Sequence, residues 1–316
     1  MSYEAIALTM FGGMLVMLLT GQRVFAAIGF VSATASLFLY GTGAVEMPFN
    51  AAFNLFNWYP MLTLPMFIYM GYILSETGIA DDLYGMFHVW FGGLMGGLAI
   101  GTIGLMVVIS AMNGLSVAGM AIGATIILVP PSVVLVLYGM IARQPVGRLW
   151  LAGIIPGFMM AGLFVIYIVI RCMIQPELAP TVSKEDRDMP LKEKLKLLKA
   201  GIIPFLIFFF MTGLFIMGIT SLVESSAVGA SAATIAAIAK RRLTRKVMEE
   251  TLRQTLGITC MFMWIILAAL CFGAVFDGIG AVKAIESLFI TKWSLSPWQV
   301  LVMMQLSYIV MGMFLD

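Results

Sequence analysis

The sequence predicts an all-α integral membrane protein, built as a polytopic helical bundle with a re-entrant hairpin and broken helices. Hydrophobic residues make up 61% of the 316 residues, and charged residues make up only 11%. A soluble domain needs charged residues at about a quarter of its positions to solvate its surface. We therefore expect the outer surface of this protein to face lipid, and its long apolar runs to be the candidate spans.

Ten apolar runs follow one another along the chain. They cover residues at about 5–20, 24–41, 60–75, 97–122, 126–140, 149–170, 202–220, 222–239, 256–276 and 298–315. A helix needs about 20 apolar residues to cross the membrane, and several of these runs are shorter or contain Gly and Pro. Because a broken backbone persists in lipid only where protein or a water-filled cavity satisfies its polar groups, we expect re-entrant or discontinuous helices among them.

Basic residues cluster in two segments between the runs. Residues 171–199 hold seven Lys and Arg and residues 240–253 hold six, which together are 13 of the 18 in the chain. The positive-inside rule places both segments in the cytoplasm. Two apolar runs separate them, so we predict a membrane hairpin over 202–220 and 222–239, with its turn near Thr220–Glu224 on the far side.

This pattern predicts three parts: an N-terminal membrane half at 1–170, a cytoplasmic linker at 171–201 and a C-terminal membrane half at 202–316. The stretches PLKEKLKLLK (190–199) and KVMEETLRQTL (246–256) alternate charged and apolar residues. Each is predicted to form a short amphipathic helix on the membrane surface.

A polar and small-residue motif interrupts the run at 97–122. SAMNGLSVAG places Asn113, Gly114 and Ser116 in the middle of an apolar stretch. Small residues allow a tight re-entrant turn, whose free carbonyls and side-chain oxygens would suit a hard cation such as Na⁺. The alternative is that Asn113 and Ser116 only form hydrogen bonds between packed helices.

A double proline marks a second break. In ILVPPSVVLVLYG, Pro130 lacks an N–H and Pro131 restricts the preceding residue to extended geometry, so a continuous helix must end here. Backbone carbonyls are freed beside Ser132. A simple loop between two spans is the alternative, but apolar residues on both sides favour a break within the membrane.

Ser221 and Glu224 lie at the start of the run at 222–239. Their spacing fits a capping box, with Ser221 as the N-cap and Glu224 at the third helical position. An ionisable group near the membrane is also a candidate functional residue, so Glu224 could shape a vestibule as well.

The motifs that would indicate an enzyme do not occur in a supporting context. No Ser-His-Asp set, HExxH or phosphate loop accompanies the spans, and His88 is the only histidine. The cysteines Cys172, Cys260 and Cys271 lack metal-ligand spacing and are predicted to be buried thiols. We therefore expect no catalytic residue and no resident cofactor.

Several ordered segments together resemble the large permease subunit of tripartite ATP-independent periplasmic (TRAP) transporters. The resemblance runs nearly from end to end. It is carried by LTLPMFIYMGYILSETGIADDLY (62–84), GGLMGGLAIGTIGLMVVISAMNGLSVAG (92–119), ILVPPSVVLVLYG (127–139), RLWLAGIIPGFMM (148–160), MGITSLVESSAVGA (217–230) and LSPWQVLVMMQLSYIVMGMFLD (295–316).

The resemblance implies an elevator-type secondary transporter in the bacterial inner membrane, with Na⁺ as the coupling ion. Its substrate would be a small organic acid, of the C4-dicarboxylate or sialic-acid type. A soluble periplasmic binding protein would deliver the substrate, and a small membrane permease subunit would complete the complex.

The resemblance also implies which residues form the substrate and ion site. The first hairpin tip, the broken helix facing it and the entrance to a second hairpin would contribute Asn113, Gly114, Ser116, Pro130, Pro131, Ser132, Gly312 and Asp316. Carbonyls at the breaks would hold Na⁺, and helix N-termini would face the substrate carboxylate.

The chain departs from the family pattern in two places. The stretch between Thr125 and Pro130 is short, and the sequence stops at Asp316, where the second hairpin would begin. We therefore expect the 316 residues alone to insert into a membrane without driving uptake. Two other classes stay open: a dicarboxylate/Na⁺ symporter that uses no binding protein, and a non-transporting remnant or assembly protein.

Overall fold

The computed structural model describes residues 3–41, 43–92, 96–97, 99–104, 132–142, 144–175 and 190–312. Within these ranges the regular secondary structure is entirely helical. Twelve helices of at least seven residues have defined bounds: α1 Tyr3–Leu19, α2 Val24–Ala35, α3 Glu46–Phe56, α4 Thr63–Glu76, α5 Ile79–Phe91, α6 Val133–Ile141, α7 Val146–Ile174, α8 Leu191–Ile216, α9 Leu222–Ala239, α10 Arg245–Gly278, α11 Ala281–Ser287 and α12 Pro297–Gly312.

Three of the described helices are long and apolar enough to cross a membrane. They are α7, α9 and α10, with 29, 18 and 34 residues. Shorter apolar helices include α1, α12 and the part of α8 from Gly201 to Ile216. The all-α membrane fold predicted from the composition is therefore confirmed.

The chain divides into two compact units. The first unit combines Met1–Trp58 with Cys260–Asp316. Its core forms where α1 packs against α2, the end of α10 and α11, around Met10, Met14 and Val275. Phe11 of α1 meets Phe272 and Phe276 of α10 edge to face, with ring centroids 6.0 and 5.4 Å apart.

The second unit is Tyr59–Thr259. Here α4 packs along α9, and α8 packs against both α5 and α9. Small residues allow the close approaches, since a Cβ at Gly229 of α9 would lie 2.7 Å from the sulfur atoms of Met70 and Met211. The division at 1–170, 171–201 and 202–316 concerns membrane halves and stays a prediction.

The predicted hairpin is present in the second unit. Helix α8 ends at Ile216, a turn follows, and α9 begins at Leu222. Gly218 in this turn has φ +72°, a left-handed conformation that glycine adopts without steric cost. The two helices pack against each other, and Ser225 of α9 donates a 2.7 Å hydrogen bond to the carbonyl of Met211 in α8.

The two short surface helices were predicted wrongly. The stretch at 190–199 does not form a separate helix, because α8 runs without a break from Leu191 to Ile216 and contains Pro204. Residues 246–256 are likewise the start of the continuous 34-residue α10. In both places strong helix formers lead directly into the apolar run, and α8 stays helical through Gly201 and Pro204.

Candidate functional site

The predicted site residues are only partly within the described structure. Six lie outside the described ranges: Asn113, Gly114, Ser116, Pro130, Pro131 and Asp316. Ser132, Ser221 and Glu224 belong to the second unit, and Gly312 belongs to the first.

Ser132 is the N-cap of α6. Its hydroxyl oxygen accepts a 3.4 Å hydrogen bond from the backbone N–H of Leu135, and its carbonyl accepts a 3.1 Å bond from the N–H of Val136. The residue is fully buried. A new helix therefore starts directly after the double proline, with its N-terminal end fixed by a buried side chain.

Trp150 of α7 forms a hydrogen bond with Ser132. Its indole Nε1–H donates a 3.3 Å hydrogen bond to the carbonyl oxygen of Ser132. The Trp150 side chain is fully buried, and its ring lies 4.7 Å from that of Phe215 and 6.2 Å from that of Phe67. Helices α4, α7 and α8 thus meet at the start of α6.

Sequence reasoning gave Trp150 no role. The residue lies inside an apolar run, where a tryptophan is ordinarily a packing residue. Its contact with Ser132 joins positions 18 apart in the chain, and the spacing carries no local signal for such a bond.

Ser221 and Glu224 form the predicted capping box. The Ser221 N–H donates to Glu224 Oε2 over 2.7 Å, and the Glu224 N–H donates to Ser221 Oγ over 3.3 Å. This confirms the helix-start role of both residues at α9. The vestibule role of Glu224 stays a prediction.

Gly312 is the last residue of α12. A Cβ placed there would meet no other group within 4 Å. The described residues therefore leave open space around this position.

A charged cluster that the sequence did not predict lies at the ends of α4 and α9. Asp82 of α5 accepts hydrogen bonds from Lys240 Nζ at 2.6 Å and from Arg242 Nη1 at 2.9 Å. Arg242 Nη1 also donates to the carbonyls of Thr77 and Gly78, at 3.2 and 3.0 Å. We call Asp82, Lys240 and Arg242 the charged latch, because they tie the end of α4 to the loop after α9.

The carboxyl group of the latch has a shifted pKa. Partial burial raises the pKa of Asp82, but the hydrogen bonds and positive charges of Lys240 and Arg242 outweigh it and hold the pKa below its usual value. Asp82 is therefore ionised at neutral pH.

Among the described residues, no group of three His, Cys, Asp or Glu side chains could hold a metal ion. The oxygens of Ser132 already accept hydrogen bonds from the protein, as described above. The arrangement thus provides a fixed helix start, which follows residues 105–131 in the sequence.

Comparisons with known proteins agree with this architecture. A membrane protein of many apolar helices, one of them starting directly after a double proline, belongs to the class of polytopic α-helical membrane proteins. The model of the family "Tripartite ATP-independent periplasmic transporter, DctM component" matches residues 11–128 and 120–316. The chain belongs to this family of large permease subunits, and its relatives are transport proteins and not enzymes.

Three relatives illustrate the similarity. The C4-dicarboxylate TRAP transporter large permease protein DctM of Pseudomonas aeruginosa is 27% identical, over 90% of this chain and 72% of its own length. The sialic acid TRAP transporter permease protein SiaT of Haemophilus influenzae is 25% identical, over 82% of this chain and 45% of its own. The sialic acid TRAP transporter large permease protein SiaM of Vibrio cholerae is 23% identical, over 96% and 76%.

Proposed function

We propose that this chain is the large membrane subunit of a Na⁺-coupled secondary transporter that imports small organic acids across the bacterial inner membrane. The family match along most of the chain is the observation that carries the proposal. C4-dicarboxylate and sialic-acid permeases among the relatives support a carboxylate substrate. A periplasmic binding protein and a small membrane permease subunit are the proposed partners.

The start of α6 is the part of the described structure that suits this function best. The N-terminus of a helix carries a partial positive charge and unsatisfied N–H groups, which favour a carboxylate. The Ser132 cap and the Trp150 hydrogen bond fix the position of this helix end. In the proposed elevator mechanism, the polar tip at Asn113, Gly114 and Ser116 faces this helix start and contributes oxygens for Na⁺.

The test is uptake into proteoliposomes. The complete gene product that carries this sequence is reconstituted with its small subunit and supplied with binding protein and a radiolabelled C4-dicarboxylate or sialic acid. We expect uptake under an inward Na⁺ gradient and none under an equal K⁺ gradient. Omission of the binding protein should abolish it.

The other outcomes each exclude a part of the proposal. Uptake that persists without the binding protein would indicate a dicarboxylate/Na⁺ symporter that uses no binding protein. Uptake without Na⁺ dependence would exclude Na⁺ coupling. Absence of any uptake, with correct membrane insertion, would indicate a non-transporting protein.

A further inference from the structure

Helices α4 and α9 pack along each other in the second unit, and α9 presents small side chains to its neighbours. Buried small residues recur on it at intervals of four: Ser225, Gly229, Ala233 and Ala237. Residues at this spacing lie on one face of a helix. A shift of α9 by one helical turn along α4 would therefore put one small side chain in the place of another.

The packing at Gly229 is adaptable as well. A Cβ at this position would lie 2.7 Å from the sulfur of Met70 in α4. A methionine side chain is unbranched and flexible, and it fits surfaces of different shape. Helix packing selects a register when the side chains of one helix enter the grooves of the other. Since Gly229 has no side chain to enter a groove, apolar packing here distinguishes poorly between the observed register and one shifted by a turn.

A pair of hydroxyl groups, in contrast, fits only one register. The Thr234 hydroxyl donates a 2.8 Å hydrogen bond to the carbonyl of Ala230. Its oxygen therefore accepts from the hydroxyl of Tyr69 in α4, which is 3.1 Å away. One turn earlier or later on α9, Ala230 or Ile238 would stand opposite Tyr69. Neither side chain forms hydrogen bonds, so the tyrosine hydroxyl would lose this partner.

The charged latch is a second contact that fits one register. Arg242 donates to both carboxylate oxygens of Asp82, over 2.9 and 3.2 Å, and Lys240 donates to one of them. The intervening Arg241 has φ +56°, the left-handed conformation in which helices commonly end with a glycine. A shift of one turn would move both bases about 5.4 Å along the helix axis and break the paired hydrogen bonds.

The hydrogen bond between α9 and α8 is less selective. Ser225 donates to the carbonyl of Met211 over 2.7 Å. A serine in a helix can bond instead to a carbonyl in the preceding turn of its own helix, as the neighbouring Ser226 does with Val223. Ser225 therefore keeps a partner in either register.

We propose that the Tyr69–Thr234 hydroxyl pair and the charged latch form a register lock, which holds α9 in one of two packings along α4. Polar contacts are a means by which proteins select one register where apolar packing allows several. Without the lock, α9 populates a second position one turn away, and the turns at 217–221 and 240–244 take up the movement. The lock does not depend on the proposed transport function.

Disulfide cross-linking in a cysteine-free background tests the proposal. One reporter carries Met70→Cys with Gly229→Cys, at positions that meet in the structure. Two shifted reporters carry Met70→Cys with Ser225→Cys or with Ala233→Cys, one turn to either side. Each pair is oxidised in membranes. A protease site inserted into the predicted cytoplasmic linker then separates linked from unlinked halves on a gel.

The reporters are combined with variants that open the lock. Tyr69→Phe removes the hydroxyl pair, and Asp82→Asn removes the carboxylate of the latch. Ser225→Ala is the matched control, used with the Gly229→Cys and Ala233→Cys reporters, because it removes a hydrogen bond of α9 and leaves both contacts with α4 in place.

We expect the protein with an intact lock, and the Ser225→Ala control, to cross-link only through Gly229→Cys. Tyr69→Phe together with Asp82→Asn should raise the yield of a shifted cross-link by about tenfold or more, because hydrogen bonds to a charged group are lost. Each single variant should raise this yield by a smaller factor. Size-exclusion profiles of all variants check that the fold is retained.

Two results would overturn the proposal. Cross-linking through Gly229→Cys alone in the folded double variant would mean that apolar packing sets the register by itself. If the double variant does not fold, the single variants decide: shifted yields no higher than that of Ser225→Ala would likewise exclude a lock. Neither result depends on whether the complex transports an organic acid.

Discussion

Trp150 shows how a single buried side chain fixes the start of a helix. Its indole N–H holds the Ser132 carbonyl, and its ring fills the space between Phe67 and Phe215. These two contributions differ in size. A hydrogen bond contributes about 1 kcal/mol net, whereas truncation of a buried aromatic side chain costs about 3–5 kcal/mol.

We therefore expect Trp150→Phe to lower the free energy of unfolding by about 1 kcal/mol, because the Ser132 carbonyl keeps its bond from Val136. Trp150→Ala should cost about 3–5 kcal/mol. The free energies of unfolding of both variants are measured in mixed micelles with an increasing fraction of a denaturing detergent. Phe215→Leu serves as the control that disturbs the ring contact and leaves the N–H in place. Equal costs for the Phe and Ala variants would contradict this account.

Asp82 supports a second prediction at this scale. Asp82→Asn would leave Lys240 and Arg242 without their counter-charge, and we expect a loss of about 1–2 kcal/mol, since the group is partly buried and accepts charged hydrogen bonds. The exposed pair Arg245–Glu249 is the control, and Glu249→Gln should change stability by less than about 0.5 kcal/mol. Similar losses for both variants would show that the latch is no stronger than a surface ion pair.

The same carboxyl gives a pH dependence with a definite sign. The pKa of Asp82 is lowered in the folded protein. The latch therefore makes its full contribution to the free energy of unfolding above the unfolded pKa of about 3.9. The contribution falls below about pH 4 and is lost as pH drops through the folded pKa. The difference in stability between the wild type and Asp82→Asn should therefore vanish in acid.

At the scale of helices, α4 and α9 run parallel. The hydroxyls of Tyr69 and Thr234 are 3.1 Å apart, and eight positions later in each case, just after the helices end, Arg242 donates to the carbonyl of Thr77. The ends of α4 and α9 thus lie together at the basic segment 240–253. Since that segment is predicted to be cytoplasmic, the end of α4 must be cytoplasmic as well.

Cysteine labelling tests this arrangement in a variant without Cys172, Cys260 and Cys271. Glu76→Cys, at the exposed end of α4, should react with a membrane-impermeant maleimide only from the cytoplasm. Ile219→Cys is 63% exposed in the turn between α8 and α9 and should react only from the periplasm. Labelling of both positions from one side would exclude the parallel packing or the hairpin.

Helix ends could be predicted from the sequence where a local signal exists. Ser221 and Glu224 are three residues apart, and their capping box follows from side-chain chemistry alone. The start of α8 at Leu191 was predicted as a separate surface helix, because a change from charged to apolar residues was mistaken for a boundary. A helix continues through such a change, and α8 does so even with Gly201 and Pro204 in its interior.

Contacts between distant residues could not be predicted. Asp82 and Arg242 are 160 positions apart, and no local pattern pairs one acidic residue with two particular bases among 18. For the candidate site, the sequence predicted a helix break at the double proline from backbone chemistry, and the described structure shows that α6 begins at Val133. It did not predict the hydrogen bond from Trp150 to Ser132, because that contact depends on how α4, α7 and α8 pack.

At the scale of the whole molecule, α10 is the longest of the described helices. It begins in the basic segment that is predicted to be cytoplasmic, and its 34 residues span about 50 Å, more than a bilayer core. Within the first unit, α1 runs antiparallel to the end of α10: Phe11 contacts Phe272, and Glu4 forms an ion pair with Lys292 at 3.3 Å. The beginning of α1 therefore lies with the far end of α10.

This packing predicts that the beginning of α1 lies on the side of the membrane opposite the turn after it, and the positive-inside rule makes that side periplasmic. Residue 4 is expected there, and the short turn with Arg23, between α1 and α2, is expected in the cytoplasm, in agreement with the positive-inside rule. In the cysteine-free variant, Gln22→Cys should be labelled only from the cytoplasm, as should Glu185→Cys and Thr244→Cys in the two basic segments. Glu286→Cys, exposed on α11, should be labelled only from the periplasm.

If Gln22→Cys and Glu286→Cys react from the same side, α1 cannot run antiparallel to α10. If Thr244→Cys reacts from the periplasm, the basic segments do not set the orientation, and the sides assigned to α4, α8 and α9 reverse.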